Sequence, residues 1–331
     1  MSKEKILITG GLGFIGSNLA KRYVDLGAEV TLLSKSKKNL INAKGFEDNV
    51  KIAYGDISNI KDVSRLICDK TKIFHLAAQT SGITSMENPY IDIRTNLIGT
   101  MNVLESCRKH NRNAKLVLTG TVTEAGKVKH LPITGKEKEF PISIYDANKL
   151  ICEKYARVYQ KSYGIKYTCL RFPTLYGERQ QLNSPRFGVT NYFIGRVIKK
   201  EPIIIYGNGE FIRDYVYIGD IIEALLLASE DNPKVNNKVF LLGSNKKTRF
   251  IDMAREVIAA VEEIMGLKGK IEFKNFPEEH KKVDVGDSLV DYTNFNEATG
   301  WRPKFSFEEG IRRTVSFYKE RHKDYLENER L

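Results

Sequence analysis

Residues 9 to 16 read Thr9-Gly10-Gly11-Leu12-Gly13-Phe14-Ile15-Gly16, directly after the apolar run Lys5 to Thr9 and directly before a stretch with helical spacing. Glycines at 10, 13 and 16 remove the Cβ from a strand-to-helix turn. Backbone N–H groups and the helix N-terminus can then approach a pyrophosphate, and the last glycine lets helix and sheet pack closely. A glycine string alone is weak evidence; after the first strand of an alternating series it reads as a dinucleotide-binding turn.

Working outward, Val30 to Leu33, Val50 to Tyr54, Ile73 to Leu76 and Leu116 to Leu118 are short, β-rich runs separated by amphipathic or polar stretches. A helical segment around Tyr90 to Lys109 precedes the last of them. This alternation over about 120 residues predicts a doubly wound parallel sheet. A long helical pattern from Tyr145 to Tyr163 leads into another strand, Tyr167 to Leu170. The texture then changes to loops rich in Gly, Asn, Pro and Arg, among them Glu178 to Pro185, which reads as a surface loop. Further helices are predicted at Asn191 to Lys200, Ile218 to Ser229, Ile251 to Met265 and Phe307 to Tyr318. The expectation is an α/β protein: a Rossmann-type doubly wound parallel sheet over residues 1–170, carrying the catalytic residues. A smaller C-terminal α/β substrate lobe over 171–331 is free to return strands to the main sheet.

The 331 residues are 41% hydrophobic and 28% charged, which excludes disorder and low-complexity sequence as the main state. A net charge of +12 favours an anionic partner. The basic residues are scattered and match no standard nucleic-acid motif, so no nucleic-acid partner is expected. No run of about 18 apolar residues occurs, and the N-terminus enters a strand without a signal-peptide core, so neither a membrane partner nor export is expected and the location reads as cytoplasmic. Cys68, Cys107, Cys152 and Cys169 lack zinc-ligand spacing and read as reduced packing residues; no metal is expected.

The second strand ends Leu33-Ser34-Lys35-Ser36, without the acidic residue that would bind the ribose 2′-hydroxyl of NAD. Ser34 and Lys35 there suit the 2′-phosphate of NADP, so the cofactor is NAD or NADP with NADP modestly favoured. Asp56, followed by Ile57, ends the third strand, where its carboxylate can accept from an adenine amine, cap the next helix, or both. Leu76-Ala77-Ala78 ends the fourth strand with small residues against which a flat cofactor can lie. His75 reads as a packed strand residue. Tyr145 and Lys149 are four apart on one helix face, where the ammonium is expected to favour phenolate by about two pKa units. Thr121, at the end of the fifth strand, offers a hydroxyl to the oxygen that Tyr145 protonates or deprotonates; Thr123 is its competitor.

With these residues in this order, the chain resembles the extended short-chain dehydrogenase/reductases, specifically the nucleotide-sugar epimerases and dehydratases of UDP-glucose 4-epimerase type. The resemblance takes in Asn96 to Thr100, Leu170 to Gly177, Gly207-Asn208-Gly209, Arg213 to Tyr217 and Gly300 to Pro303. It implies that Tyr145 is the acid/base, Lys149 its electrostatic partner and cofactor-ribose ligand, and Thr121 the hydroxyl on the reacting sugar oxygen. It adds Phe14, Ile15, Asn96 and Phe172 to the cofactor site, and Arg213 as the arginine to a nucleoside diphosphate, against a surface ion pair with Asp214. Thr174 stands where the family's asparagine is usual and Lys281 where its arginine is usual, weakening two expected substrate contacts.

Family 4,6-dehydratases place Asp-Glu after the active-site threonine. Val122 and Thr123 stand there instead, so dehydration lacks its acid and base. The resemblance therefore implies an epimerase that transiently oxidises C4 of a nucleoside-diphosphate hexose. The alternatives are an NADPH-dependent reductase of 4-keto-deoxy nucleotide sugars and, from another class, a non-catalytic cofactor sensor. Family members commonly dimerise through two helices per subunit, here Tyr90 to Lys109 and Tyr145 to Tyr163, so a homodimer is expected.

Overall fold

The computed structural model describes residues 3–277 and 283–326. Its frame is a seven-stranded sheet built from β1 (Lys5–Thr9), β2 (Glu29–Ser34), β3 (Val50–Tyr54), β4 (Lys72–His75), β5 (Lys115–Thr121), β6 (Tyr167–Phe172) and β11 (Lys238–Leu241). The order is β11-β6-β5-β4-β1-β2-β3, and every neighbouring pair is parallel. The expected doubly wound parallel sheet is therefore present. Its strand order reverses at β1, so the crevice outside the carboxyl ends of β1 and β4 is the natural ligand position.

Successive residues of β1 serve opposite cores, as a period of two requires. Ile6 and Ile8 pack with α1 (Phe14–Asp25) residues Leu19, Ala20 and Tyr23, whereas Leu7 packs with Val63, Leu66, Val103 and Leu104 from the helices on the other face. All three β1 side chains have no exposed surface. Burial on both faces explains why these strands read as continuous apolar runs.

Three contacts hold the helix that carries Tyr145 and Lys149. Ser143 caps α6 (Ile144–Tyr163), its Oγ accepting from Asp146 N at 3.1 Å. Ser85, buried in α3 (Gly82–Glu87), accepts from Tyr145 N at 3.0 Å. Asp92 accepts from Asn148 Nδ2 at 2.8 Å and from Gln79 Nε2 at 2.7 Å, tying α6 to the loop after β4.

Beyond β6, β7 (Thr174–Tyr176) pairs with β10 (Tyr215–Tyr217), β8 (Ile203–Tyr206) with β13 (Ile271–Lys274) and β9 (Ile212–Arg213) with β12 (Thr248–Arg249), forming the small sheets of the C-terminal half. The helices there run Val189–Ile198, Ile218–Ala228, Phe250–Met265 and Phe307–Lys319, within two residues of the expected bounds at each end. β6 crosses residue 170 and β11 returns from the C-terminal half to the main sheet, so that half shares the sheet with the N-terminal one. The 90–109 helix is not uniform: Pro89–Asp92 is α-helical, Ile93–Ile98 is a π-helix and Gly99–His110 is α-helical again. Among the described residues, no helix is long and apolar enough to cross a membrane.

Candidate active site

A cleft of about 590 Å³ opens outside the carboxyl ends of β1, β4 and β5. The glycine turn forms one end of it. Gly10 N and Gly11 N both donate to Leu33 O, at 2.8 and 3.2 Å, which pins the turn to β2. Gly10 has a φ of +67°, and a Cβ there would stand 2.8 Å from Ala77 N; the position admits only glycine. Helix α1 starts at Phe14 with no side-chain cap and no acidic residue in its first turn. An uncapped helix N-terminus facing a cleft is the chemistry an anionic pyrophosphate requires, so the residues present fit a dinucleotide.

Gly10, Gly13, Phe14, Ile15 and Gly16 line this end, as do Ser34, Lys35, Asp56 and Ile57. Lys35 Nζ lies 3.0 Å from Asp56 Oδ2, while Asp56 Oδ1 accepts from Ser58 N and Ser58 Oγ at 2.8 Å each. Helix α2 (Ile60–Ile67) is capped by Asn59, whose side chain accepts from Lys61 N, so the expectation of Asp56 as its cap is corrected. The Lys35 contact and the Ser58 hydrogen bonds together outweigh the upward pull of burial and lower the pKa of Asp56. Leu76, Ala77 and Ala78 form the middle of the cleft. His75 lies beneath, its ring nitrogens 2.9 Å from Thr9 Oγ1 and 3.0 Å from Thr100 Oγ1; burial, then the Lys149 charge, pushes its pKa down to about 3. It is a neutral packed residue, as read from the sequence.

Thr121, Tyr145 and Lys149 meet at the other end of the cleft, with Phe172 and Thr174. Lys149 is buried, its Nζ 3.4 Å from Thr119 Oγ1. The Tyr145 phenol is pushed well above its ordinary pKa, first by burial and then by the carboxylates of Asp146, Glu124 and Asp92; a hydrogen bond with Thr121 pulls the other way. The expected downward shift is thus corrected: desolvation of the buried ring, reinforced by the neighbouring carboxylates, sets the direction. Between the competing hydroxyls, only Thr121 lines the cleft; Thr123 turns its Oγ1 toward Asp146.

Two of the expected site residues, Asn96 and Arg213, stand outside the cleft. Asn96 does not line the cleft: buried in the π-helix, it accepts from Gln79 N at 3.0 Å and donates to Gln79 O at 2.9 Å, shaping the loop after β4. Arg213 also lies outside it. Its Nη2 is 3.0 Å from Asp284 Oδ1 and it donates to Gly286 O, while Asp214 is buried and accepts from Ser244. Lys281 lies outside the described residues. Cys107, Cys152 and Cys169 are buried and free, whereas Cys68 is exposed.

The segment read as a surface loop is a wall of the site. Arg179, Gln180 and Gln181 line the cleft, Gln180 and Leu182 are buried, and Arg186 joins them from the short helical turn that follows. Arg179 adopts φ +66° and donates to Asn18 Oδ1 on α1 and to Asn42 O. Polar composition concealed this; the one signal was Leu182, an apolar residue amid polar ones.

A dinucleotide-binding parallel sheet that brings a Tyr-x-x-x-Lys helix to the cleft defines a short-chain dehydrogenase/reductase. The chain belongs to its extended, NAD(P)-dependent nucleotide-sugar epimerase and dehydratase family: residues 7–314 match the family model described as GDP-mannose 4,6 dehydratase. It is similar to the UDP-glucose 4-epimerase of Thermotoga maritima solved with UDP-glucose, at 32% identity and TM-score 0.85, covering 96% of this chain and 99% of that one. It resembles the Thermus thermophilus UDP-glucose 4-epimerase solved with NAD, at 32% identity and TM-score 0.81 with the same coverage. The UDP-glucuronate 4-epimerase of Thermodesulfobacterium geofontis is 28% identical over 324 residues, 95% of this chain and 96% of the relative.

Proposed function

We propose that this enzyme is an NAD(P)-dependent 4-epimerase of a nucleoside-diphosphate hexose. The observation that carries the reading is the shared cleft: the proton-transfer set Thr121, Tyr145 and Lys149 lines the same cavity as the glycine turn. Two relatives whose names give UDP-sugar 4-epimerisation support it. Val122 is buried and packed with Ala125, Ile133, Leu241 and Val290, and Thr123 faces Asp146, so neither offers the acid and base that dehydration needs.

The nicotinamide supplies hydride exchange with the sugar carbon and, when oxidised, a positive charge that favours phenolate. Tyr145 takes the C4 hydroxyl proton as C4 is oxidised, the 4-keto sugar turns over in the cleft, and Tyr145 returns the proton to the same oxygen as C4 is reduced from its other face. The hydroxyl of Thr121 hydrogen-bonds the same oxygen and holds it during the exchange. Lys149 provides the ammonium beside the phenol and a donor to the cofactor ribose. The ribose 2′ position would meet Ser34 and Lys35, which favours NADP, although Asp56 already neutralises Lys35. Thr174 would face the diphosphate from the cleft wall. Arg213 reaches it only by leaving Asp284.

The test is purified protein given a UDP-hexose without added cofactor, followed by NMR. Formation of the C4 epimer is expected. Turnover only when NADPH and a 4-keto sugar are both supplied would establish the reductase instead, and no turnover under either condition would return the sensor. We further propose a homodimer, formed through the exposed apolar residues of the 89–110 segment and α6.

A further inference from the structure

Behind the cleft floor lies a buried cluster that the hydride and proton steps do not use. Glu124, in the short helical turn Val122–Ala125 after β5, has no exposed surface. Its Oε1 accepts from Thr121 N at 2.7 Å, and the Thr121 side chain caps the same turn. Its Oε2 lies 3.0 Å from Arg171 Nε on β6. Arg171 directs Nε–H to Glu153 Oε1 at 2.9 Å, Nη2 to Glu153 Oε2 at 2.7 Å and Nη2 to Glu139 Oε1 at 2.5 Å. Glu124 Oε2 therefore sits beside the cation without accepting from it.

Glu139 is part-exposed and is also held by Lys154 at 2.7 Å, but Glu124 and Glu153 are both buried against the one guanidinium, which cannot neutralise two buried anions. Burial, then the Glu153 charge, raises the pKa of Glu124 well above its ordinary value. Gly120 is dictated by the same cluster: a Cβ there would stand 2.6 Å from Glu153 Oε1 and 2.8 Å from Glu124 Oε1. On the other side of the turn, Thr121 Oγ1 is 2.8 Å from Thr123 Oγ1, which donates to Asp146 next to Tyr145.

We propose that Glu124, anchored against Arg171 and Glu153, is a positioning residue that fixes the Thr121 peptide and so aims the Thr121 hydroxyl at the oxygen Tyr145 works on. The proposal rests on the role given to Thr121 above, and the experiment separates the two. UDP-hexose epimerisation is measured for Glu124→Ala, Glu124→Met, Glu124→Gln, Thr121→Ala and the double variant Thr121→Ala/Glu124→Ala. Glu124→Ala is expected to lower kcat about tenfold or more with KM within about twofold, the signature of misaligned reacting groups. Glu124→Gln keeps the acceptor for Thr121 N and a donor to Glu153, and is expected to stay within about threefold of the parent. In the Thr121→Ala background, Glu124→Ala is expected to cost less than about twofold, because it acts through the missing hydroxyl.

Full additivity in the double variant, or a Gln variant as impaired as the Ala variant, overturns the proposal. Glu124→Met preserves side-chain length and is read in place of Ala if that variant does not fold. If neither folds, Glu124 is a folding residue and the proposal falls. A fully active Thr121→Ala enzyme instead overturns the assignment of Thr121 itself.

Discussion

At the scale of single residues, the chemistry-bearing side chains were legible because motif spacing places them where β-strands end. Gly10, Gly13, Gly16, Thr121, Tyr145 and Lys149 all line one cleft, as their order implied. Their environments were not legible, since desolvation depends on neighbours distant in sequence: Tyr145 is raised rather than lowered. His75 shows the same burial effect with a consequence for stability. Its folded pKa of about 3 lies below the ordinary imidazole value, so the unfolded chain binds the proton first as pH falls. Stability is therefore retained above the unfolded pKa and lost below it, by up to about 1.4 kcal/mol per pH unit from about pH 6 downward. Urea midpoints at pH 7, 6 and 5 are expected to fall more steeply for the parent than for His75→Gln; equal slopes would refute a neutral buried imidazole.

At the scale of elements, helical spacing revealed the helices and continuous apolar runs the strands, because both faces of this sheet are buried. Register within a helix was hidden. The π-helix Ile93–Ile98 shifts the side chains by an extra residue, bringing Thr95 to the cleft and Asn96 to Gln79, and no local sequence pattern announces it. Of the two roles the sequence leaves open for Asp56, the cap of α2 falls instead to Asn59. Asn59→Ala is expected to cost about 1 kcal/mol in chemical denaturation, since it orphans Lys61 N. Asp56→Ala, which leaves the Asn59 cap intact, is expected to weaken cofactor binding in titration calorimetry more than it changes stability. A reversed ranking of the two variants would contradict these roles.

At the scale of the whole molecule, the doubly wound parallel sheet followed from a strand–helix alternation, but its edge strand β11 and the wall built by Arg179 to Leu182 depend on contacts between the two halves that composition cannot encode. The surface carries one further expectation. Tyr90 is 79% exposed and Val158 54%, with Ile91, Ile98 and Ile151 also exposed on the 89–110 segment and α6. Apolar side chains grouped on neighbouring helices mark an interaction surface. Light scattering after size exclusion is expected to give a dimer, and Ile151→Glu/Val158→Glu a monomer with the same fold; a monomeric parent would sink that expectation.

If one phenol shuttles the proton while the glycine turn holds the dinucleotide, removing the phenol oxygen separates turnover from cofactor binding. Tyr145→Phe measures this most directly, with UDP-hexose turnover followed by NMR and cofactor affinity by calorimetry on the same preparation. Turnover is expected to fall about a hundredfold or more, with cofactor affinity within about threefold of the parent. A variant that still interconverts the C4 epimers at close to the parental rate would contradict it.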